Sequence, residues 1–164
     1  MSPSVKQSTV RDLSRRHIVS RHAQRGATAI EFALVFPLFF AIFYAIVTFS
    51  LIFVAQQSLT LASEEGARAA LNYQAASSLP LAVAARASNA ASVAASTFPA
   101  MISRGASSVA ASATCGASMQ CITVTVTYNY AAYPLVPKLP LLGMVVPSQL
   151  SSSATVQLNP VSIF

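Results

Sequence analysis

The sequence predicts a membrane-anchored α+β protein. A long N-terminal transmembrane helix extends into a periplasmic stalk, and a small periplasmic domain follows with an alanine-rich helix and an antiparallel strand pair. Three observations lead there: an uncharged apolar run behind a basic head, an alanine- and serine-rich stretch with helical spacing, and a run near the C-terminal end that alternates apolar with polar residues. Of 164 residues, 54% are hydrophobic and 9% charged, against about 25% charged in an ordinary soluble domain. That composition rules out a disordered chain and argues against a purely cytosolic globule. The net charge of +6 is concentrated at one end: Lys6, Arg11, Arg15, Arg16, Arg21 and Arg25 against Asp12 make the first 26 residues strongly basic. No basic stripe with interleaved aromatics follows, so nucleic acid is not an expected partner. A basic head before an apolar run points to membrane lipid.

The apolar run, Phe32 to Ala55, carries no charge, and only Pro37, Thr48 and Ser50 interrupt its apolar or aromatic character. As a helix its 24 residues span roughly 36 Å, enough for a hydrocarbon core of about 30 Å. Its Leu, Ile, Val and Phe residues favour insertion by roughly 5 to 10 kcal/mol in total. Glu31 at the border does not offset that. The six basic residues precede the run and Arg68 alone follows it closely, so the positive-inside rule places the N-terminus in the cytoplasm and the C-terminal part outside. A secretory signal peptide has a similar basic start, but its apolar region is usually about 7 to 15 residues. Ser14-Arg15-Arg16 has the look of a twin-arginine signal, again with too long an apolar run. The segments expected are a basic cytoplasmic leader (1–26), a transmembrane helix (27–55), a stalk helix (56–78) and a small periplasmic domain (79–164).

The run Arg25-Gly26-Ala27-Thr28-Ala29-Ile30-Glu31-Phe32 places a glycine after a basic residue and a glutamate five positions on, at the mouth of the membrane helix. This resembles the processing site of type IV prepilins, and especially the TadE-like family of the tight-adherence (Flp) pilus system. The resemblance implies cutting after Gly26 by a prepilin peptidase, which makes Ala27 the new N-terminus. Glu31 then stands fifth in the mature chain. A carboxylate entering hydrocarbon costs several kcal/mol unless paired, and the freed α-amine of a neighbouring subunit is a natural partner. Glu31 would thereby set subunit register. The plainer reading is a carboxylate near the headgroups that marks a helix start. Flp major pilins have tyrosine after the glutamate; Phe32 suits the TadE-like branch better.

From Gln56 to Ser78 helix formers continue without proline, so the membrane helix is expected to run on. Leu59, Ala62, Gly66, Ala70 and Tyr73 share one face, a seam permitting close helix contact, with Glu64, Glu65 and Arg68 opposite. Glu64 and Arg68 form an expected i,i+4 pair. The run Glu65-Gly66-Ala67-Arg68 resembles the element that follows the span in TadE-like proteins, while a solvated stalk face would account for the same charges.

Ser78 is placed to cap a second helix with Pro80 in its first turn, running to about Phe98. Val83, Ala87, Ala90, Ala94 and Phe98 form its packed face, with Arg86, Asn89, Ser92 and Ser96 on the other. Met101 to Ala113 reads equally as a further helix or as a low-complexity connection. Ile122, Val124, Val126, Tyr128 and Tyr130 alternate with Thr123, Thr125, Thr127 and Asn129, a half-buried strand. Leu150 to Leu158 alternates more weakly and could pair with it antiparallel. Pro134, Pro137, Pro140 and Pro147 leave an apolar loop, Leu135 to Val146, between them. This strand, loop and strand also resemble the C-terminal half of TadE-like domains.

Cys115 and Cys121 fall on the outer side, where an oxidising compartment permits a disulfide worth about 2 kcal/mol in the chain-entropy picture. Two cysteines without an outer histidine do not make a zinc site, and no cofactor is expected. Beyond the head, Glu31, Glu64 and Glu65 are the only carboxylates, and no nucleophile has a base on its own side of the membrane. The expected function is therefore noncatalytic: a minor pilin or pseudopilin-like subunit in tight-adherence pilus assembly. Its partners would be other pilin-like subunits, the assembly platform and the prepilin peptidase, with no small-molecule substrate. The competing expectation is an anchored or secreted binding module using the loop at Leu135 to Val146.

Overall fold

A computed structural model describes residues 21–116, 119–138, 146–159, 161 and 163, with the helical backbone but not the side chains at 21–25 and 27. Most of the basic head, and residues 139–145 of the proline-rich loop, lie outside the described residues. The chain divides into two units, Met1–Ile42 and Phe43–Phe164. Helix α1, Arg21–Ala69, contributes to both. It is continuous with Pro37 inside it, a residue that apolar helices tolerate where the surroundings satisfy the freed carbonyl. Thr28–Ala69 is long and apolar enough to cross a membrane by length and composition. In the first unit every residue from 28 to 42 is exposed, and Phe32, Phe36 and Phe40 stack at helical spacing, with centroids 5.2 and 6.4 Å apart.

Helix α1 stops at Ala69 rather than continuing to Ser78. Nothing in the local sequence breaks it; the end is set by tertiary contacts. Leu71 N–H and Asn72 N–H close tightened turns on the carbonyls of Arg68 and Ala69, at 3.0 and 3.2 Å. Side chains of helix α2, Leu79–Ser96, add donors at this end. Asn89 Nδ2 donates to Ala69 O at 3.1 Å and Arg86 to Leu71 O at 3.5 Å. Two expectations change as a result. Tyr73 leaves the seam and is 65% exposed, while Arg86, expected on the polar face, is 3% exposed. Ser78 occupies the N-cap position and Pro80 the first turn, but the serine hydroxyl makes no capping bond. The expected packed face of α2 is present: Val83, Ala87, Ala90 and Ala94 are buried.

Three strands complete the second unit: β1 (Ala106–Cys115), β2 (Met119–Tyr128) and β3 (Leu150–Leu158), antiparallel in the order β1-β2-β3. The expected strand pair is there, with Ile122 opposite Val156 and Tyr128 opposite Leu150. The open segment resolves into a short turn and strand β1, neither helix nor connection. Its alanines and serines have little strand preference of their own; β1 forms because the β-branched β2 offers it a full ladder, from Ala106–Tyr128 to Cys115–Met119. Gly116, at φ +59°, supplies the left-handed residue of the hairpin. Ile122, Val124, Val126 and Tyr128 point inward and are buried with Leu59, Ala62, Ala90, Ala94 and Ile102. The threonines between them face out, Thr123 sharing a 2.8 Å hydroxyl contact with Thr155 and Thr127 a 2.9 Å contact with Ser107. A polar seam joins α1 to β3: Gln56 Nε2 donates to Ser151 O at 2.9 Å, and the Ser63 and Ser152 hydroxyls share a 3.2 Å hydrogen bond.

Candidate processing and assembly site

Gly26, Ala27, Glu31 and Phe32 all lie in the first unit, within α1. A Cβ added at Gly26 would meet nothing within 4 Å. This glycine therefore costs the helix about 1 kcal/mol relative to alanine, and among the described residues it relieves no contact. Glu31 is exposed, and among the described residues no cation lies within ion-pairing distance of it. Phe32 is 65% exposed and stacks on Phe36.

Glu65-Gly66-Ala67-Arg68 behaves as two charged ends around a packed centre. Arg68 pairs with Glu65 at 3.0 Å, one residue nearer than the expected Glu64 partner. At this exposure the pair contributes a few tenths of a kcal/mol. Gly66 and Ala67 are buried. A Cβ on Gly66 would come within 2.9 Å of Ala90 O, 2.9 Å of Ala94 Cβ and 3.0 Å of Val124 Cγ1. Here α1, α2 and the sheet approach closely, and the missing side chain makes the approach possible. The small-residue seam is thus occupied by the chain's own second helix.

The cysteines are joined as Cys115–Cys121, with Cα atoms 5.8 Å apart, stapling the β1–β2 hairpin. Alkylation of the unreduced protein is expected to label neither thiol, and alkylation after reduction to label both; two labels before reduction would contradict the pairing. Among the described residues no three His, Cys, Asp or Glu side chains cluster as metal ligands do.

Arg86 was missed as an interior residue although its signal was present. It stands three residues after Val83 and four before Ala90, inside the stripe assigned to the core. Besides Leu71 O it donates to Ile163 O at 3.2 Å, both carbonyls carrying no charge of their own. Tyr128 is buried likewise. Its hydroxyl donates to Tyr133 O at 2.5 Å, and burial pushes its phenol above the ordinary value, so it stays a neutral donor.

These features define a class of protein: a long apolar helix whose distal part is built into a small α+β domain through a glycine contact. The model of the TadE-like protein family matches residues 26–68. The match opens on Gly26 and closes on Arg68, so the resemblance read from both short motifs holds over that segment. No curated protein and no solved structure matches the chain.

Proposed function

We propose that the protein is a noncatalytic, pilin-like assembly subunit of a tight-adherence pilus, anchored in the bacterial inner membrane with its domain in the periplasm. The observation that carries this reading is the family match beginning at Gly26, a glycine whose missing side chain makes room for no other described residue. A helix residue that costs stability and relieves nothing is accounted for by a requirement met before assembly. A prepilin peptidase that brings the scissile backbone against its catalytic groups leaves no room for a side chain. Hydrolysis of the Gly26–Ala27 bond would free the α-amine of Ala27 and remove the basic leader. Glu31, exposed on an apolar helix, is then available to the amine of an adjoining subunit. The disulfide agrees with an oxidising compartment for the domain.

N-terminal sequencing of protein from its own host is expected to begin at Ala27. Gly26→Leu should accumulate unprocessed chain, whereas Glu31→Ala should be processed normally and assemble poorly. An intact N-terminus together with full pilus formation in both variants would refute the reading.

A further inference from the structure

The loop after β2 leaves the sheet where Ala131 N–H bonds Ser148 O at 2.9 Å. It returns to α1 well inside the apolar run, where the Tyr44 hydroxyl donates to the Pro137 carbonyl. The same turns of α1 are two-sided. Thr48 and Ile52 are covered at 2% and 9% exposure, while Phe43, Ile46, Phe49 and Phe53 remain exposed. A hydrocarbon layer of about 30 Å takes up about 20 helical residues. Counted from Glu31, its far border falls near Leu51; counted from Arg25, near Ala45. On either count Tyr44 lies at or inside that border, and Pro137 with it.

The chemistry of the segment suits such a depth. Tyr133, Pro134 and Pro137 are exposed, and Leu135 and Val136 are half-buried. Lys138, whose Nζ donates to Ala131 O at 2.6 Å, is the only charged side chain in the sequence after Arg104. An isolated lysine at the edge of an apolar segment can bury its stem and hold its ammonium at the headgroups. Tyrosine, like tryptophan, is enriched at that level.

We propose that residues 133–138 are a second lipid contact, seated in the interfacial layer beside α1, so that the protein meets the membrane through its domain as well as its helix. This rests on the membrane reading of α1 and not on the pilus role. The sequence contains no tryptophan, so single introduced tryptophans report depth. Full-length Pro134→Trp, Leu38→Trp and Val161→Trp variants would be reconstituted in vesicles of phosphatidylcholine and phosphatidylglycerol with acyl chains brominated near the headgroup or near the bilayer centre. Val161 is 88% exposed. It neighbours Ile163, which Arg86 links to Leu71, roughly 40 Å along the helix rise from Tyr44.

The Pro134→Trp variant should lose most of its emission to shallow bromines, the Leu38→Trp variant to deep ones, and the Val161→Trp variant should keep its emission with both. Quenching at position 38 without quenching at 134 would overturn the second contact and leave the anchor standing. No quenching at 38 would overturn the anchor and the contact together. Emission at 134 that shifts to the blue with protein concentration but ignores the bromines would assign the segment to a second copy of the chain, and equal shallow quenching at 161 would mean general adsorption. Either outcome overturns the proposal.

Discussion

Gly66→Val is expected to lose more than about 3 kcal/mol of domain stability, the upper end for overpacking, because the new side chain must displace backbone as well as side-chain atoms. The nearest obstacles are Ala90 O and Ala94 Cβ of α2 at 2.9 Å, and Val124 of the central strand at 3.0 Å. Gly66→Ala should still cost roughly 1 to 2 kcal/mol, its helix propensity gain of about 1 kcal/mol offsetting only part of the clash. Denaturant unfolding of the detergent-solubilised protein, followed by near-ultraviolet circular dichroism from the tyrosines, measures both. Gly26→Ala is the control for helix propensity and should not destabilise the domain, since its Cβ enters open space in the other unit. An unaltered midpoint for Gly66→Val would show that the three elements do not meet at this glycine.

Arg86→Met should cost about 1 to 3 kcal/mol despite comparable apolar volume, because it strands the buried Ile163 carbonyl, which folding has taken out of water. Leu71 O and Ile163 O lose their guanidinium donor. Arg86→Lys should recover part of the loss, keeping the charge without the fork of donors. Amide exchange locates the effect: faster exchange is expected first in the final turn of α1 and around Ile163, with the β1–β2 ladder opening only globally. A methionine variant as stable as the parent would show the buried arginine to be replaceable by packing alone.

The parts of the fold legible in the sequence were those with strong periodicity. The apolar run, the Val83–Ala94 face and the Ile122–Tyr128 alternation each imply their element directly, and the strand pairing follows from matching faces. Strand β1 was not legible because Ser107 to Ala113 carries neither apolar contrast nor β-branching beyond Val109; its conformation is imposed by its neighbour. The end of α1 was not legible either, since the side chains that terminate it, Arg86 and Asn89, arrive from another helix. Among the candidate residues, the glycine at 66 was visible as part of a small-residue seam, but its partner was not. Small residues announce close approach without saying to what.

The polar seam between α1 and β3 has a consequence for the order of events during synthesis. Gln56 waits for Ser151, 95 residues later in the chain, and Ser63 for Ser152, 89 residues later. Helix α1 needs only local contacts and can form early, whereas the strand that covers its Gln56–Ser63 flank arrives last. Closure is therefore governed by long loops and is slow relative to helix formation. Throughout that interval Gln56 and Ser63 lack their β3 partners, and a ribosome stalled before β3 would present a finished helix with this flank uncovered, the kind of surface that chaperones and proteases survey.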